Sequence, residues 1–420
     1  MQTYAEVLTY AIPLFMILIL IELGVSSVRG MTVIRSFDTV SSLSSGITNS
    51  LKEVLGLAVV IISYEWMVDH IGLFEIGAKP WLFLITFVGL DFAGYWAHRF
   101  EHEINIFWNR HIIHHSSEEF NLACALRQNI SAVFGVFFFL LIPLAIIGIP
   151  AEIIALVAPL HLFAQFWYHT RLIDRMGWLE YIIVTPSHHR VHHAINDPYM
   201  DKNFSQVFII WDKLFGTFQE EMMDEKAVYG VKRQVNTWNP FLINFQHLFI
   251  LVEDAWRARR WVDKMRVFVM PTGWRPADRE EADPIPYTEI AESQIKYSTE
   301  ASLNMHIWIW IQLIVTLVLM IHMFQLVAVV SFNTLLLYGM FLAVSIFAYT
   351  SLMDKTKISV ISECAKLILG IILIFQLGSW FGIDEIVPFG TIIMLLYLVI
   401  SLGLNFYFLN ENVDSTLKTT

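Results

Sequence analysis

The sequence predicts an all-α, multi-pass integral membrane protein. Hydrophobic residues make up 56% of the chain and charged residues only 15%, whereas a soluble chain carries about 25% charged residues. The apolar residues are gathered in runs long enough to cross a bilayer, and the mean hydropathy is +0.56. The net charge of −11 offers no basic face to nucleic acid, so that class of partner is excluded. Two cysteines, Cys124 and Cys364, cannot form a disulfide framework and suit a reducing compartment. The first apolar run has no basic residue ahead of it and no small-residue cleavage site behind it, so a spanning helix is expected there rather than a cleaved signal.

About 20 mostly apolar residues cross the hydrocarbon core as a helix. In chain order the runs are Val7–Val25, Val54–Val68, Trp81–Trp96, Ala132–Ile147 and Ile153–Trp167. The last two are split by Gly148-Ile149-Pro150 and form a hairpin that crosses fully or only in part. From Ile307 to Met353 no Asp, Glu, Lys or Arg occurs, which is enough for two passes turning near Val330. Ser362–Leu377 and Pro388–Phe408 complete nine spans, or seven if the hairpin does not cross.

Lys and Arg in short loops set orientation. Arg29, Arg35 and Lys52 lie between the first two runs, Arg99 and Arg110 follow the third, and Lys355 and Lys357 lie between the seventh and eighth. The loop before Trp81 has only Lys79, and the turns near Val330 and Trp380 have neither residue. Every strongly basic loop then shares one side if the N-terminus is outside, which puts all the histidine clusters on the cytosolic side. The membrane is expected to be endoplasmic reticulum in a eukaryote and inner membrane in a bacterium.

The stretch 170–300 reads as folded, with many aromatics and Val/Ile runs. Within it Phe241–Val269, carrying Trp256, Arg257, Arg259, Arg260 and Trp261, has the pattern of a helix lying in the membrane interface or of a plain amphipathic core helix. Arg275–Glu292 holds Pro276, Pro284 and Pro286 and reads as a linker. The expected organisation is a membrane-embedded catalytic part over 1–275, a linker over 276–304, and a C-terminal four-helix transmembrane block over 305–420.

The chemistry lies in the histidines. His98 and His102 are spaced i, i+4 at the end of the third span, so on a helix they share a face. His111, His114 and His115 follow, and His189, His192 and His193 repeat their spacing behind Thr185-Pro186, where a helix can begin. A lone histidine is more often a satisfied core residue. Three clusters at ligand spacing beside a membrane helix reverse that expectation, because ionisable groups near a bilayer are costly. Eight imidazoles are too many for one ion, so two ions are implied; His169 is a ninth candidate and His161 a tenth. Neutral imidazole suits iron, zinc, copper or nickel, but structural zinc brings cysteines, and His102-Glu103 is not followed by the second histidine of a zinc-protease motif. No Glu-x-x-His occurs, which excludes the carboxylate-rich soluble di-iron pattern. Oxygen activation by iron on an apolar substrate fits what remains. Carboxylates should orient the imidazoles: Asp91, two turns before His98, is the first candidate, with Glu101, Asp197 and Asp212 behind it. His70, His247, His306 and His322 are isolated and expected to be structural.

The order His-x3-His, His-x2-His-His, His-x2-His-His resembles the fatty acid hydroxylase and sterol desaturase superfamily. The stretches around His98–Asn105, His114–Leu122, Ala125–Gln128, Phe166–Thr170, Thr185–His193, Asp201–Phe204 and Trp211–Phe218 carry the likeness, which is strong over about Asp91 to Phe218. The acid directly after His102 and the run Ser116-Ser117-Glu118 point to the ether-lipid branch. Ala123-Cys124 and Phe204-Ser205 depart from that branch without touching ligands.

The resemblance implies a helical histidine-box di-iron monooxygenase that binds two Fe ions and uses O₂ and tetrahydrobiopterin to cleave the ether bond of an alkylglycerol. The products are a fatty aldehyde and a glycerol derivative. On this reading the metal ligands are His98, His102, His111, His114, His115, His169, His189, His192 and His193, and Glu103 lies against the pterin, where a carboxylate can accept from its amino and ring N–H groups. The alternative within the superfamily is a sterol desaturase, C-4 methyl oxidase or fatty acid hydroxylase fed by an electron-donor protein. A metal transporter with a histidine-rich loop is the remote alternative, since transport sites lie near the bilayer midplane and these clusters lie beyond span ends.

Overall fold

A computed structural model describes residues 2–77 and 79–411, with the side chains of residues 2–5 left aside. Among the described residues the chain is helical, with isolated bridges such as Val59 with Phe134 but no strand. The first half forms α1 (Gln2–Val28), α2 (Ser36–Val54), α3 (Tyr64–Ile71), α4 (Pro80–Glu103), α5 (Asn105–His115), α6 (Ile142–Ile147), α7 (Ala151–Phe163), α8 (Pro186–His192) and α9 (Ile210–Phe215). Then come α10 (Pro240–Arg257), α11 (Trp261–Val269), α12 (Ala277–Ala282), α13 (Leu303–Gln325), α14 (Phe332–Met353), α15 (Ile358–Leu377) and α16 (Gly390–Leu409). Six helices are long and apolar enough to cross a membrane, namely α1 from Glu6, α4 and α13 to α16. The C-terminal block is thus described as far as Glu411.

The expectation of nine or seven apolar spans is corrected in two places. Val54–Val68 is not a helix: α2 stops at Val54, Gly56 turns the chain at φ +62°, and Val59 pairs its backbone with Val133 and Gly135 before the short α3. A run of Val and Ile is equally compatible with extended backbone, and here that backbone finds partners in the neighbouring loop. The hairpin of Val136–Ile147 and Ala151–Phe163 is too short to count as two spans. Its tip packs Leu144, Ile149, Ile153 and Val157 against Leu82 at the start of α4, so it descends beside α4 and returns. Gly148 makes this turn possible: at φ +82°, a Cβ there would meet the Phe74 carbonyl oxygen at 1.8 Å.

The missing return after α1 is made by α2, whose hydropathy is too low to announce a membrane element. The ends of α1 and α4 both lie at the histidine face. Glu22 accepts from the Leu122 amide at 2.7 Å and Thr170 Oγ1 at 2.6 Å, and Arg29 donates to the Leu172 carbonyl. α2 starts on that face, where Asp38 pairs with Arg127 at 2.9 Å, and runs antiparallel to α14, from Ser44 against the Tyr349 hydroxyl to Leu55 packed on Gly339. Those contacts are ten residues apart on α14, about 15 Å of descent. Its serines can be buried because Ser42 and Ser44 bond back to the carbonyls four residues earlier, while Ser41 and Ser45 bond the Trp238 and Gln128 carbonyls.

The C-terminal helices close at the same face. Ser302, ahead of α13, donates to Glu411 beyond α16, and Lys355 donates to the Phe408 carbonyl. Asp354 accepts from the Trp238 amide and the Tyr297 hydroxyl, and the Tyr297 amide donates to Glu118 at 2.6 Å. One apolar core joins α1 and α2 to all four C-terminal helices, with Leu43, Leu51, Leu313, Tyr338, Tyr349 and Leu398 among its buried members.

Candidate metal centre

The histidines sit where the α4–α5 corner meets α8 and the segment after α7. The corner is clamped from outside. Asn105 Nδ2 donates to the Val267 and Trp274 carbonyls, its amide donates to the Met270 carbonyl, and its own carbonyl meets His247 Nε2 at 2.9 Å. Thr272 Oγ1 caps the His102 carbonyl. These bonds hold α4 and α5 so that His98 and His102 face His111 and His115. α8 opens with Pro186 behind a capping box of Thr185 and His188, which turns His188 away from the other rings.

Nine imidazoles converge in two groups. One contains His98, His102, His111, His115 and His192, the other His114, His169, His189 and His193, and within each the ligand atoms lie within 4.8 Å of one another. The groups interleave the sequence clusters. On α5, His111 and His115 are one helical turn apart and join the first group, while His114 points to the second; on the α8 turn, His192 joins the first and His189 and His193 the second. His161 stands outside both, its Nε2 2.8 Å from Asp91.

The ring nitrogens divide their labour. Nε2 atoms meet at 2.9 Å between His98 and His111, 3.1 Å between His102 and His115, 2.8 Å between His189 and His169, and 3.0 Å between His193 and His114. Outward, Nδ1 of His98 meets the Phe204 carbonyl at 2.7 Å, that of His192 the Lys202 carbonyl at 3.0 Å, that of His169 the Gln165 carbonyl at 3.0 Å, and that of His114 the Arg127 carbonyl at 3.3 Å. A carbonyl accepts only from Nδ1–H, which leaves the Nε2 lone pair facing inward, the tautomer a metal needs. Nε2 of His192 is buried and has no partner, as a ligand atom facing a cation site should be. Burial, followed by repulsion among neighbouring imidazoles, holds His111, His114, His115, His189, His192 and His193 well below the usual histidine range, and burial brings His169 to about 3. All seven are therefore neutral and able to ligate at neutral pH.

The carboxylates fall differently from the sequence expectation. Asp91 does not orient His98; it accepts from His161, from the Val207 and Phe208 amides and from Trp211 Nε1, and so ties α4 to the α8–α9 segment. Seven residues is two helical turns, or about 10 Å along α4, too far for one side chain to bridge. Asp197 pairs with Lys232 instead. Glu101 does reach His111 Nδ1 at 3.4 Å, and Asp201 reaches His102 Nδ1 at 3.5 Å. Asp212 acts at one remove: it accepts from the Phe204 and Ser205 amides at 2.8 Å and so fixes the carbonyl that holds His98. Asp201 and Asn203 in this cradle have φ of 55° and 57°, and Asn203 is held there by bonds to the His188 and Gln219 carbonyls. Among the described residues no carboxylate belongs to either ligand group.

Sequence reasoning missed Arg127, which is buried and bonds Asp38, Ser42 and Ser116 while its carbonyl holds His114. A fully buried arginine shows in a sequence only as one more basic residue. Glu103 is half-exposed at the last turn of α4, paired with Arg99 at 2.8 Å. Apolar rings wall the centre. Phe204, expected from the sequence not to touch ligands, instead packs against His98, His102 and His192, and Phe120 packs against His169, His189 and His193.

Comparisons with known proteins agree in kind. The family model described as fatty acid hydroxylase matches residues 83–217. The chain is 35% identical to human alkylglycerol monooxygenase over 377 residues, covering 89% of this chain and 84% of that one. It is 33% identical to the alkylglycerol monooxygenase of Xenopus tropicalis over 357 residues, 84% of this chain and 79% of that one, and 37% identical to that of Danio rerio over 269 residues, 63% and 59% of the two chains. No solved structure matches.

Proposed function

The chain belongs to the alkylglycerol monooxygenase family and is a membrane-bound lipid monooxygenase, and from that premise we propose that it cleaves the ether bond of alkylglycerols, with two irons and tetrahydrobiopterin as cofactors. The observation that supports this best is the set of nine converging imidazoles, five and four, without a carboxylate among them. His98, His102, His111, His115 and His192 would hold one iron, and His114, His169, His189 and His193 the other. Bound there, an iron pair supplies O₂ activation: with two electrons from the pterin, one oxygen atom enters the alkyl C–H bond next to the ether oxygen and the other leaves as water. The hemiacetal so formed breaks into a fatty aldehyde and a free glycerol hydroxyl.

The protein's own part is binding, orientation and exclusion of water. The carbonyls of Phe204, Lys202, Gln165 and Arg127 fix four ring orientations. Phe204 and Phe120 keep the centre dry. A glyceryl ether would lie with its head at the histidine face and its chain among the spans. We read that face as the cytosolic one from the basic residues Arg29, Arg35, Arg99, Arg110, Lys355 and Lys357 gathered there. Glu103 is our candidate for the pterin: it is reachable from solvent and keeps a free oxygen beside the one that Arg99 holds.

Product analysis with a defined alkylglycerol, with and without tetrahydrobiopterin, tests the proposal. The expected result is fatty aldehyde only when the pterin is present. Glu103→Gln should raise the pterin requirement more than the lipid requirement, with iron content unchanged. An enzyme that ignores the pterin and turns over a sterol or fatty acid with a reductase would replace this reading by its relative.

A further inference from the structure

On the histidine face, beside α10, lies a cavity of about 390 Å³ whose walls include Arg233, Gln246, Ile250, Glu253, Arg275 and Tyr287. Nearly every charge on its wall is matched. Arg275 bonds Asp254 at 2.6 and 2.9 Å and Glu280 at 3.2 Å, Lys232 pairs with Asp197, Glu253 with Arg257, and Asp283 with Arg279. Arg233 is the exception. Among the described residues it makes no hydrogen bond and no ion pair, although it is half-buried and burial lowers its pKa. The nearby Asp254 already gives both its oxygens to Arg275 and Arg279. A guanidinium stays charged and brings five donors, and leaving it without an acceptor in a partly desolvated wall is costly. Gln246 adds a buried carbonyl oxygen with no partner, an acceptor waiting for a hydroxyl.

α10 also says where this cavity stands relative to lipid. Leu242, Phe245, Phe249, Val252 and Trp256 form an exposed stripe at spacings of three and four, while Gln246, Ile250 and Glu253 of the same helix line the cavity. In a membrane protein such a stripe belongs among acyl chains, which puts the neighbouring polar wall at headgroup depth. We propose that this cavity is an accessory lipid site, in which Arg233 takes the phosphate of a membrane phospholipid headgroup and Gln246 accepts from a headgroup hydroxyl. Arg pairs with phosphate through a planar fork, and the size of the cavity suits a headgroup rather than a whole lipid.

The test uses the full-length enzyme in non-ionic detergent and follows its Tm against soluble dihexanoyl phosphatidylglycerol, dihexanoylglycerol and inorganic phosphate. A ligand that binds only the folded state raises Tm in proportion to its occupancy. The phosphatidylglycerol should raise Tm, and the two others should not at equal concentration. Arg233→Gln should fold with a lipid-free Tm no lower than wild type, since the lost charge had no partner, and should need roughly tenfold more phosphatidylglycerol for the same rise. Arg233→Lys should lie between, and Arg259→Gln, an exposed arginine after α10, should respond in full. A full response from Arg233→Gln overturns the proposal, as does equal stabilisation by dihexanoylglycerol. Equal stabilisation by inorganic phosphate overturns the lipid assignment. Failure of Arg233→Gln to fold while Gln246→Leu responds normally would make Arg233 structural and also end the proposal.

Discussion

If the two histidine groups are separate sites, they must lose metal separately. His169→Ala removes one of four donors from the second group and leaves the five-donor group intact. It also takes away the ring nitrogen 2.8 Å from His189 Nε2 and 3.3 Å from His114 Nε2. Removing a group that merely orients a ligand weakens metal binding about 10–100-fold, so removing a donor should cost ~100-fold or more, about 2.7 kcal/mol. The other site should suffer less than tenfold, because the groups touch only through ring contacts such as His115 on His193 at 4.3 Å. Metal analysis after gel filtration against a mild chelator should find half the wild-type iron in His169→Ala, half in His98→Ala, and essentially none in the double variant. All three should be inactive. Loss of both irons in each single variant, or unchanged iron in His169→Ala, would refute the division into five and four.

Three further outcomes follow from the packing. Arg127→Met should destabilise the protein by about 3–5 kcal/mol in detergent unfolding by SDS titration, because it strands the buried Asp38 carboxylate; Arg127→Met with Asp38→Leu should recover most of that loss, whereas additive losses would contradict a pair. Burial pushes the Cys124 thiol up to about 12, so at pH 8 it stays protonated and should resist maleimide in the folded enzyme but react after denaturation; labelling of the native protein would contradict that burial. In a background lacking both native cysteines, Ser298→Cys and Asn410→Cys should label from the histidine side, and Glu75→Cys and Ser331→Cys from the other. Labelling of Ser298→Cys and Asn410→Cys from opposite sides would break the helix order of the C-terminal block.

What the sequence made legible, and what it hid, follows from the physics each signal measures. Helical spacing pointed to eight of the nine imidazoles, since i, i+3 and i+4 place rings on one side of a helix, and His169 was a candidate only from its place just after the fifth apolar run. It did not reveal that α5 splits its three between two groups, because His114 lies about 60° around the axis from His111 and about 100° from His115, and which neighbour each ring meets depends on where α8 packs. Asp91 illustrates a different limit. A carboxylate within an apolar span correctly signalled a special role, but the partner was His161 on the returning arm of the hairpin and not the histidine two turns along the same helix.

The largest gap concerned α2, and its cause is general. Hydropathy scores side chains one at a time, whereas the cost of burying a serine depends on whether its hydroxyl has an acceptor. In α2 Ser42, Ser44 and Ser50 spend theirs on the carbonyls four residues earlier, and Ser41 and Ser45 on neighbouring segments. The helix therefore descends inside the protein without facing lipid, wrapped by α13 and α14, and brings Asp38 to the Arg127 that holds His114. The Val54–Val68 run, by contrast, scored as a span on composition, yet Leu57, Val60 and Ile61 end on the outer surface of a non-helical loop whose backbone pairs with 133–135. One apparent span is lost, the buried α2 makes the return instead, and the N-terminal end of α1 lies opposite the face where α16 ends.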